Sequence, residues 1–451
     1  MIPARVALAI VTLAAATACD PGEREAQPFV GRWESAGYGL FLDIHGGRVD
    51  IYEHTAAHCQ QVAASAARGI SEVMSLDAGA LVLRDAGRTV RFRPLDSLPL
   101  RCADPVDGDD AAATFAVAAA TVSEQYFPQP DAAWETARAE ITGTLDADAT
   151  AVELFDALVA LLGALGDPEL RLALDADGLP ESWSVEAGGL GAALAAHPAA
   201  RQLDGGVITR VVADGVGYLG IVRLAAGTGD EQRILAGAID EVLSGAGGLV
   251  IDLRGASGGI EEAALLVATR FVPAESAVAV VLARDGDGLV PSGEFTVTPV
   301  PTGHFAGPIV VLVGPATSGA GELLALVLAD LPQVTLVGEP TAGSPRAPLV
   351  RLLPNGWSLG VPNLEVLDAA GVARVGVPLE PDVEALTTPE DVIAGEDPGL
   401  EAALTILSWQ AAGSNRRLAH QLRSAMAYMK PSSVPTMITP AEVSAGVERI
   451  W

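Results

Sequence analysis

Leu249-Val-Ile-Asp-Leu-Arg-Gly-Ala-Ser-Gly-Gly259 opens as an almost unbroken apolar run and breaks into a glycine turn, after which Ile260 to Phe271 reads as a helix. Ile309-Val-Val-Leu-Val-Gly-Pro-Ala-Thr-Ser-Gly-Ala-Gly-Glu322 repeats the pattern: apolar strand, Gly/Pro turn, and a helix over Gly321 to Leu331. A strand with one wet face alternates polar and apolar residues, whereas a strand covered on both faces does not. Both stretches therefore predict central strands of a sheet flanked by helices.

Working outward, Val216-Gly-Tyr-Leu-Gly-Ile-Val, Gly248 to Leu253, Ala277-Val-Ala-Val-Val-Leu, Ile309 to Val313 and Val334-Thr-Leu-Val read as buried strands. They alternate with helices that include Glu231 to Leu243, giving an α/β core over 206–405 with parallel-sheet character. Upstream, Ala111 to Gln125, Asp131 to Thr142 and Ala149 to Leu165 read as helices, a helical subdomain over 110–175. The last places Val152, Leu154, Leu158, Leu161, Leu162 and Leu165 at helical spacing. Between 30 and 103, short segments such as Arg48-Val-Asp-Ile-Tyr and Thr89-Val-Arg-Phe-Arg alternate with period two between glycine turns. That pattern predicts a small antiparallel β domain. Asp104 to Asp110 is an acidic linker, and 406–451 is a tail to which no role attaches.

Half of the chain is apolar and 19% is charged, so a packed globular architecture is expected rather than disorder. The 57 acidic and 27 basic side chains leave a formal net charge of −30. That balance argues against a nucleic-acid surface and against a polybasic membrane patch. Lys430 is the sole lysine and lies in the tail.

Arg5 precedes an apolar run from Val6 to Ala16, too short to span a bilayer and suited to a secretory leader. Ala16-Thr17-Ala18-Cys19 looks like a bacterial lipobox, with Ala16 where Leu is commoner. The expectation is a leader over 1–19, lipidation of Cys19, and an exported, membrane-anchored lipoprotein facing the periplasm or cell surface. An ordinary cleaved signal peptide and an uncleaved anchor are the alternatives. In an exported chain, Cys59 and Cys102 form a plausible disulfide.

Three further segments complete a succession: Leu165-Gly-Asp-Pro-Glu-Leu-Arg-Leu172 before the two already quoted, then Val337-Gly-Glu-Pro-Thr-Ala-Gly343 and Gly376-Val-Pro-Leu-Glu-Pro-Asp382. In this order they resemble the tail-specific (C-terminal processing) serine peptidases and the catalytic core of tricorn-like peptidases, over roughly Asp110 to Leu404. The resemblance implies a core sheet of the ClpP/crotonase type preceded by a helical subdomain. It also implies a serine at a helix N-terminus, a lysine or histidine that takes its proton, and backbone amides that hold the oxyanion.

The family's chemistry maps unevenly onto this chain. Gly258 and Gly259, with Ala320, fall at oxyanion-hole positions; the alternative for the glycines is a tight strand-to-helix connection. Ala256 stands where the family has Asn. The nucleophile position, three residues before Glu322, is Gly319, and Ser318 is one residue early. Ser318 could present a displaced hydroxyl, or Ser318 or Thr317 could cap the following helix. The family's lysine falls at Ser344 and the tricorn-like histidine at Glu169, whose ordinary pKa makes it a weak base. His197 and His304 match no motif and read as surface or loop residues. His54 and His58 near Cys59 read as surface or hairpin residues rather than metal ligands. No cofactor is implied.

Two functions follow from the resemblance. One is a serine peptidase with a displaced nucleophile; the other is a non-catalytic relative that binds peptides or a partner protein through the retained cleft. Thioester chemistry of the crotonase kind lacks a CoA-binding signature. The interval from Leu172 to Val216 is shorter than a typical PDZ insert, so recognition of protein C-termini by such a module is not expected.

Overall fold

The computed structural model describes residues 25–85, 88–174, 180, 182–184, 202–203, 207–211, 215–224 and 229–411. The leader with Cys19, His197, and the tail with Lys430 lie outside the described residues.

Seven strands come first: β1 Gly31–Ser35, β2 Leu40–His45, β3 Arg48–His54, β4 Cys59–Ala66, β5 Met74–Asp77, β6 Ala80–Asp85 and β7 Arg88–Leu95. Helices α1 Ala111–Gln125, α2 Ala132–Thr142 and α3 Ala151–Gly163 follow, then β8 Arg171–Ala173, β9 Ser182–Ser184, β10 Gln202–Leu203, β11 Val207–Val211 and β12 Val216–Ile221. Next are α4 Gly229–Leu243, β13 Gly248–Asp252, α5 Glu261–Ala268, β14 Ser276–Asp285, β15 Gly288–Val297, β16 Ile309–Val313, α6 Ala320–Ala329 and β17 Val334–Gly338. The chain continues through β18 Leu349–Leu352, β19 Ser358–Val361, β20 Leu364–Asp368, β21 Val383–Glu384, α7 Pro389–Ala394 and α8 Pro398–Ala411. None of the described helices is long and apolar enough to cross a membrane.

The chain divides into two compact units. The first comprises residues up to Val185 together with Ala279–Phe295 and Pro348–Leu367. Its larger sheet runs β20-β14-β15-β7-β1-β2-β3-β4, with β6 also paired to β7 and β5 to β6. In β7, Val90 and Phe92 are buried while Arg91 and Arg93 are exposed, as period-two geometry requires. A second sheet, β18-β19-β8-β9, packs with α1–α3: Phe115, Trp134, Leu158 and Leu161 share a buried cluster with Trp357 and Leu359.

Each of these helices begins at a polar cap. The Asp110 side chain accepts from the Ala113 amide at 2.8 Å and that of Asp131 from the Trp134 amide at 2.9 Å. Thr150 and Glu153 form a reciprocal capping box. Cys59 and Cys102 are joined in a disulfide.

The second unit holds the sheet β10-β11-β12-β13-β16-β17-β21. β10, β11 and β12 are antiparallel neighbours; from β12 to β21 every pairing is parallel. All residues of β13, β16 and β17 are buried, the outcome expected of continuous apolar runs. On one face, Leu400, Ala403, Ile406 and Leu407 of α8 pack on Tyr218, Val250, Val310, Leu312 and Val337. Each such aliphatic side chain contributes about 1.5–3 kcal/mol of burial. α5 packs against α4 and α6.

Three expectations change. Ala277 to Leu282 is not a core parallel strand; it belongs to β14, which pairs with β15 and β20 in the first unit's antiparallel sheet. A short apolar run carries no mark of its sheet, and the turn Asp285-Gly286-Asp287-Gly288, with Gly286 at φ +62°, folds it into a hairpin. Accordingly 206–405 is not one compact unit, and the strands of 30–103 do not form a sheet by themselves. His54 and His58 are hairpin residues, as one of the two expectations had it, lying where β3 turns into β4, but they are not surface residues. His54 stacks on Phe41 with ring centroids 3.6 Å apart, and His58 is 4% exposed. His304 is exposed, as expected.

Candidate functional site

Three turns leave the carboxyl ends of β13, β16 and β17, the side of a parallel sheet where ligands are generally bound. They are 253–259, 314–319 and 339–346, all in the second unit.

The first turn is tied to the second. The Thr317 hydroxyl donates to the Leu253 carbonyl at 2.8 Å and accepts from the Gly314 amide at 3.0 Å. The Ser318 amide donates to the Ala256 carbonyl at 3.0 Å. At Gly321 a β-carbon would meet the Ala256 carbonyl oxygen at 2.5 Å, so this glycine lets α6 approach the first turn.

Gly259 has φ +105°, and a β-carbon there would lie 2.3 Å from the Leu224 carbonyl oxygen. Ile260 donates its amide to that same oxygen at 2.7 Å. The glycine turn is thus shaped as a tight strand-to-helix connection. Among the described residues, the amides of Gly258, Gly259 and Ala320 nonetheless meet no acceptor.

Gly319 is the N-cap of α6, with φ 59° and ψ −130° and no side-chain cap. L-residues take that conformation only under strain. A strained strand-to-helix turn is how hydrolases of the elbow type lift a nucleophile above a sheet. Here the elbow carries a hydrogen instead of a side chain. The Ser318 carbonyl accepts from Gly321 and Glu322 at 3.1 and 3.4 Å, and the residue is fully buried. The Thr317 hydroxyl is committed to Leu253 and Gly314 rather than to the helix.

The third turn is held by Glu322, fully buried in the first turn of α6, where a carboxylate also complements the helix dipole. Its Oε1 accepts from the Thr341 hydroxyl and from the Gly343 amide at 2.9 Å, and its Oε2 accepts from the Ser344 amide at 2.7 Å. The Ser344 carbonyl accepts from the Gly319 amide at 2.7 Å, so the two positions at which the resemblance leads one to expect nucleophile and lysine are joined by a backbone bond. The Ser344 hydroxyl accepts from Arg346 Nη1 at 3.1 Å. Arg346 is 1% exposed and, as a guanidinium, cannot take up a proton from a serine.

Glu169 lies in the first unit, fully buried, with Arg171 Nη2 donating to its Oε1 at 3.1 Å. Its amide donates to Asp167 Oδ1 at 2.9 Å. It is a partner in a charge pair. Glu322 served in the sequence only as the marker from which the nucleophile position is counted, and its clip on the third turn was not legible there; Arg346 had no signal. Among the described residues no cluster of three or more His, Cys, Asp or Glu is placed to hold a metal ion.

Glycine turns at the ends of parallel strands, an elbow before α6 and a carboxylate that clips the next turn thus gather at one end of the α/β sheet. Residues 215–385 match the model of peptidase family S41, and the resemblance to the tail-specific peptidases stands. The chain is 28% identical over 227 residues to a carboxyl-terminal-processing protease of Synechocystis, covering 49% of this chain and 48% of that one. It is 26% identical over 213 residues to a carboxy-terminal processing protease of Bacillus subtilis, covering 47% and 43%. The chain therefore matches about half the length of these curated relatives. A solved structure of a candidate peptidase from Parabacteroides merdae superimposes with a TM-score of 0.51 at 22% identity, covering 67% of this chain and 97% of that one, a likeness of fold.

Proposed function

We propose that this chain is an S41-type protein that binds polypeptide without hydrolysing it by a serine mechanism. The observation that carries the reading is Gly319: the elbow that presents a nucleophile is built and held, yet bears no side chain. The neighbouring proton acceptor is replaced as well, by Ser344 beside the permanently charged Arg346. In a serine protease, loss of either group costs about a million-fold in turnover, and the remaining amides sustain roughly 10³–10⁴ over water. With both absent, ordinary proteolysis falls to background. The unaccepted amides of Gly258, Gly259 and Ala320 favour a polypeptide carbonyl as the group recognised.

The five parallel strands with helices between them support a core of the ClpP/crotonase type. The Cys59–Cys102 disulfide suits an oxidising compartment, in keeping with export, lipidation at Cys19 and a periplasmic or surface-facing location.

A second reading, peptidase activity through Ser318, draws on its place beside Gly319. A serine-directed fluorophosphonate probe and a casein digest separate the two. The expected result is no labelling and no cleavage of intact casein by the wild-type chain, with peptides from a separate tryptic digest of casein retained on the immobilised protein. Labelling that disappears in Ser318→Ala would establish the peptidase instead.

A further inference from the structure

Behind the candidate site, a buried guanidinium joins the first turn to the last helix. Arg254 donates its amide and Nε to Asp252 Oδ1, both at 3.0 Å, and Nη2 to Asp252 Oδ2 at 2.5 Å. On its other side it donates from Nη1 and Nη2 to the two oxygens of Asp397, each at 2.7 Å. Tyr218 adds its hydroxyl to Asp252 Oδ2 at 2.8 Å. Arg254, Asp252 and Asp397 are all at most 2% exposed.

Asp397 also starts α8: its Oδ1 accepts from the Leu400 amide at 2.9 Å, and Thr387 Oγ1 accepts from the Gly399 amide at 3.0 Å. Arg254 sits inside the first turn, between Leu253, whose carbonyl holds Thr317, and Ala256, whose carbonyl holds Ser318. A two-pronged ion pair fixes direction as well as distance. The path from α8 to the elbow is therefore Asp397, Arg254, the 253–256 backbone, then Thr317 and Ser318.

We infer that Asp397 is a positioning residue for the elbow at Gly319: through Arg254 it holds the 253–256 backbone, and with it Thr317 and Ser318, in the arrangement that orders the site. The inference rests on the three turns being the ligand-contacting element, but its readout needs no ligand, so failure of peptide binding and failure of this coupling are seen separately.

Asp397→Asn is the informative change, because Asn caps a helix about as well as Asp while losing the charge and one acceptor that Arg254 uses. Hydrogen–deuterium exchange is followed in the full chain for three peptides: 314–322 at the elbow, 398–404 at the start of α8, and 309–313 in the central strand β16. The expected result is exchange at least tenfold faster in 314–322, with the other two at wild-type rates. Acceleration confined to 398–404, or equal in all three, overturns the proposal, since that is fraying of α8 or general loosening. Should Asp397→Asn not fold, Asp397→Glu is the second variant, as it keeps the charge but displaces the carboxylate that Arg254 grips with both Nη atoms. Acceleration in 314–322 then supports the coupling, and unchanged exchange there overturns it.

Discussion

Gly319 concentrates what is unusual about this chain at the scale of one residue. Its φ of 59° with ψ of −130° is a conformation that costs an L-residue on the order of 1–3 kcal/mol. Gly319→Ala should therefore lower stability by about that amount, read as a fall in the urea midpoint, whereas an unchanged midpoint would mean the elbow relaxes. His54 gives a pH-dependent counterpart. Burial, then the positive charges of Arg101 and Arg351, lower its pKa from 6.5 to about 3. The unfolded chain takes up this proton first as pH falls, so the stability linked to a neutral His54 is complete above about pH 6.5 and is lost progressively towards pH 3. The slope is at most about 1.4 kcal/mol per pH unit. His54→Leu should flatten that part of the stability profile in urea titrations between pH 7 and pH 4, and a profile parallel to wild type would sink the assignment. The sequence showed a histidine near a cysteine; it could not show Phe41 stacked on the ring, because the two meet only through strand pairing.

At the scale of elements, legibility followed locality. The helices from Ala111 to Gly163 stood out because cap, apolar period and stop all lie within a few residues of each other. Thr150→Ala removes one half of a capping box and should cost about 0.5–2 kcal/mol, measured in urea, with Thr150→Ser restoring most of it. Strands β13, β16 and β17 were equally legible, since burial on both faces writes an unbroken apolar run. β14 was not. Its Val-Ala-Val-Val-Leu is the same vocabulary, and only partners far along the chain, β15 and β20, decide that it lies in an antiparallel sheet. The site shows the same division. The glycine turns around Gly258 and Gly319 could be read from the sequence, while the pairing of Arg254 with Asp397, 143 residues away, could not.

At the scale of the whole molecule, the chain leaves the second unit and returns to it twice after β13, giving 279–295 and 348–367 to the first unit. These excursions carry β14, β15, β18, β19 and most of β20. β15 pairs with β7 and β19 with β8, both encoded upstream of 206. A fragment spanning 206–405 would therefore present two unpaired strand edges, and Trp357, Leu359 and Val361 would lose the helical cluster of Phe115, Leu158 and Leu161 that buries them. Unpaired apolar edges are templates for aggregation, and each stripped side chain forfeits about 1.5–3 kcal/mol. Although that span contains the parallel sheet and all three turns of the site, it should elute from gel filtration as aggregate and give no cooperative urea transition in near-ultraviolet circular dichroism. The full chain, which supplies β7, β8 and α1–α3, should be soluble and unfold cooperatively. A monodisperse 206–405 fragment with a sharp transition would show instead that the excursions are dispensable and that the second unit folds by itself.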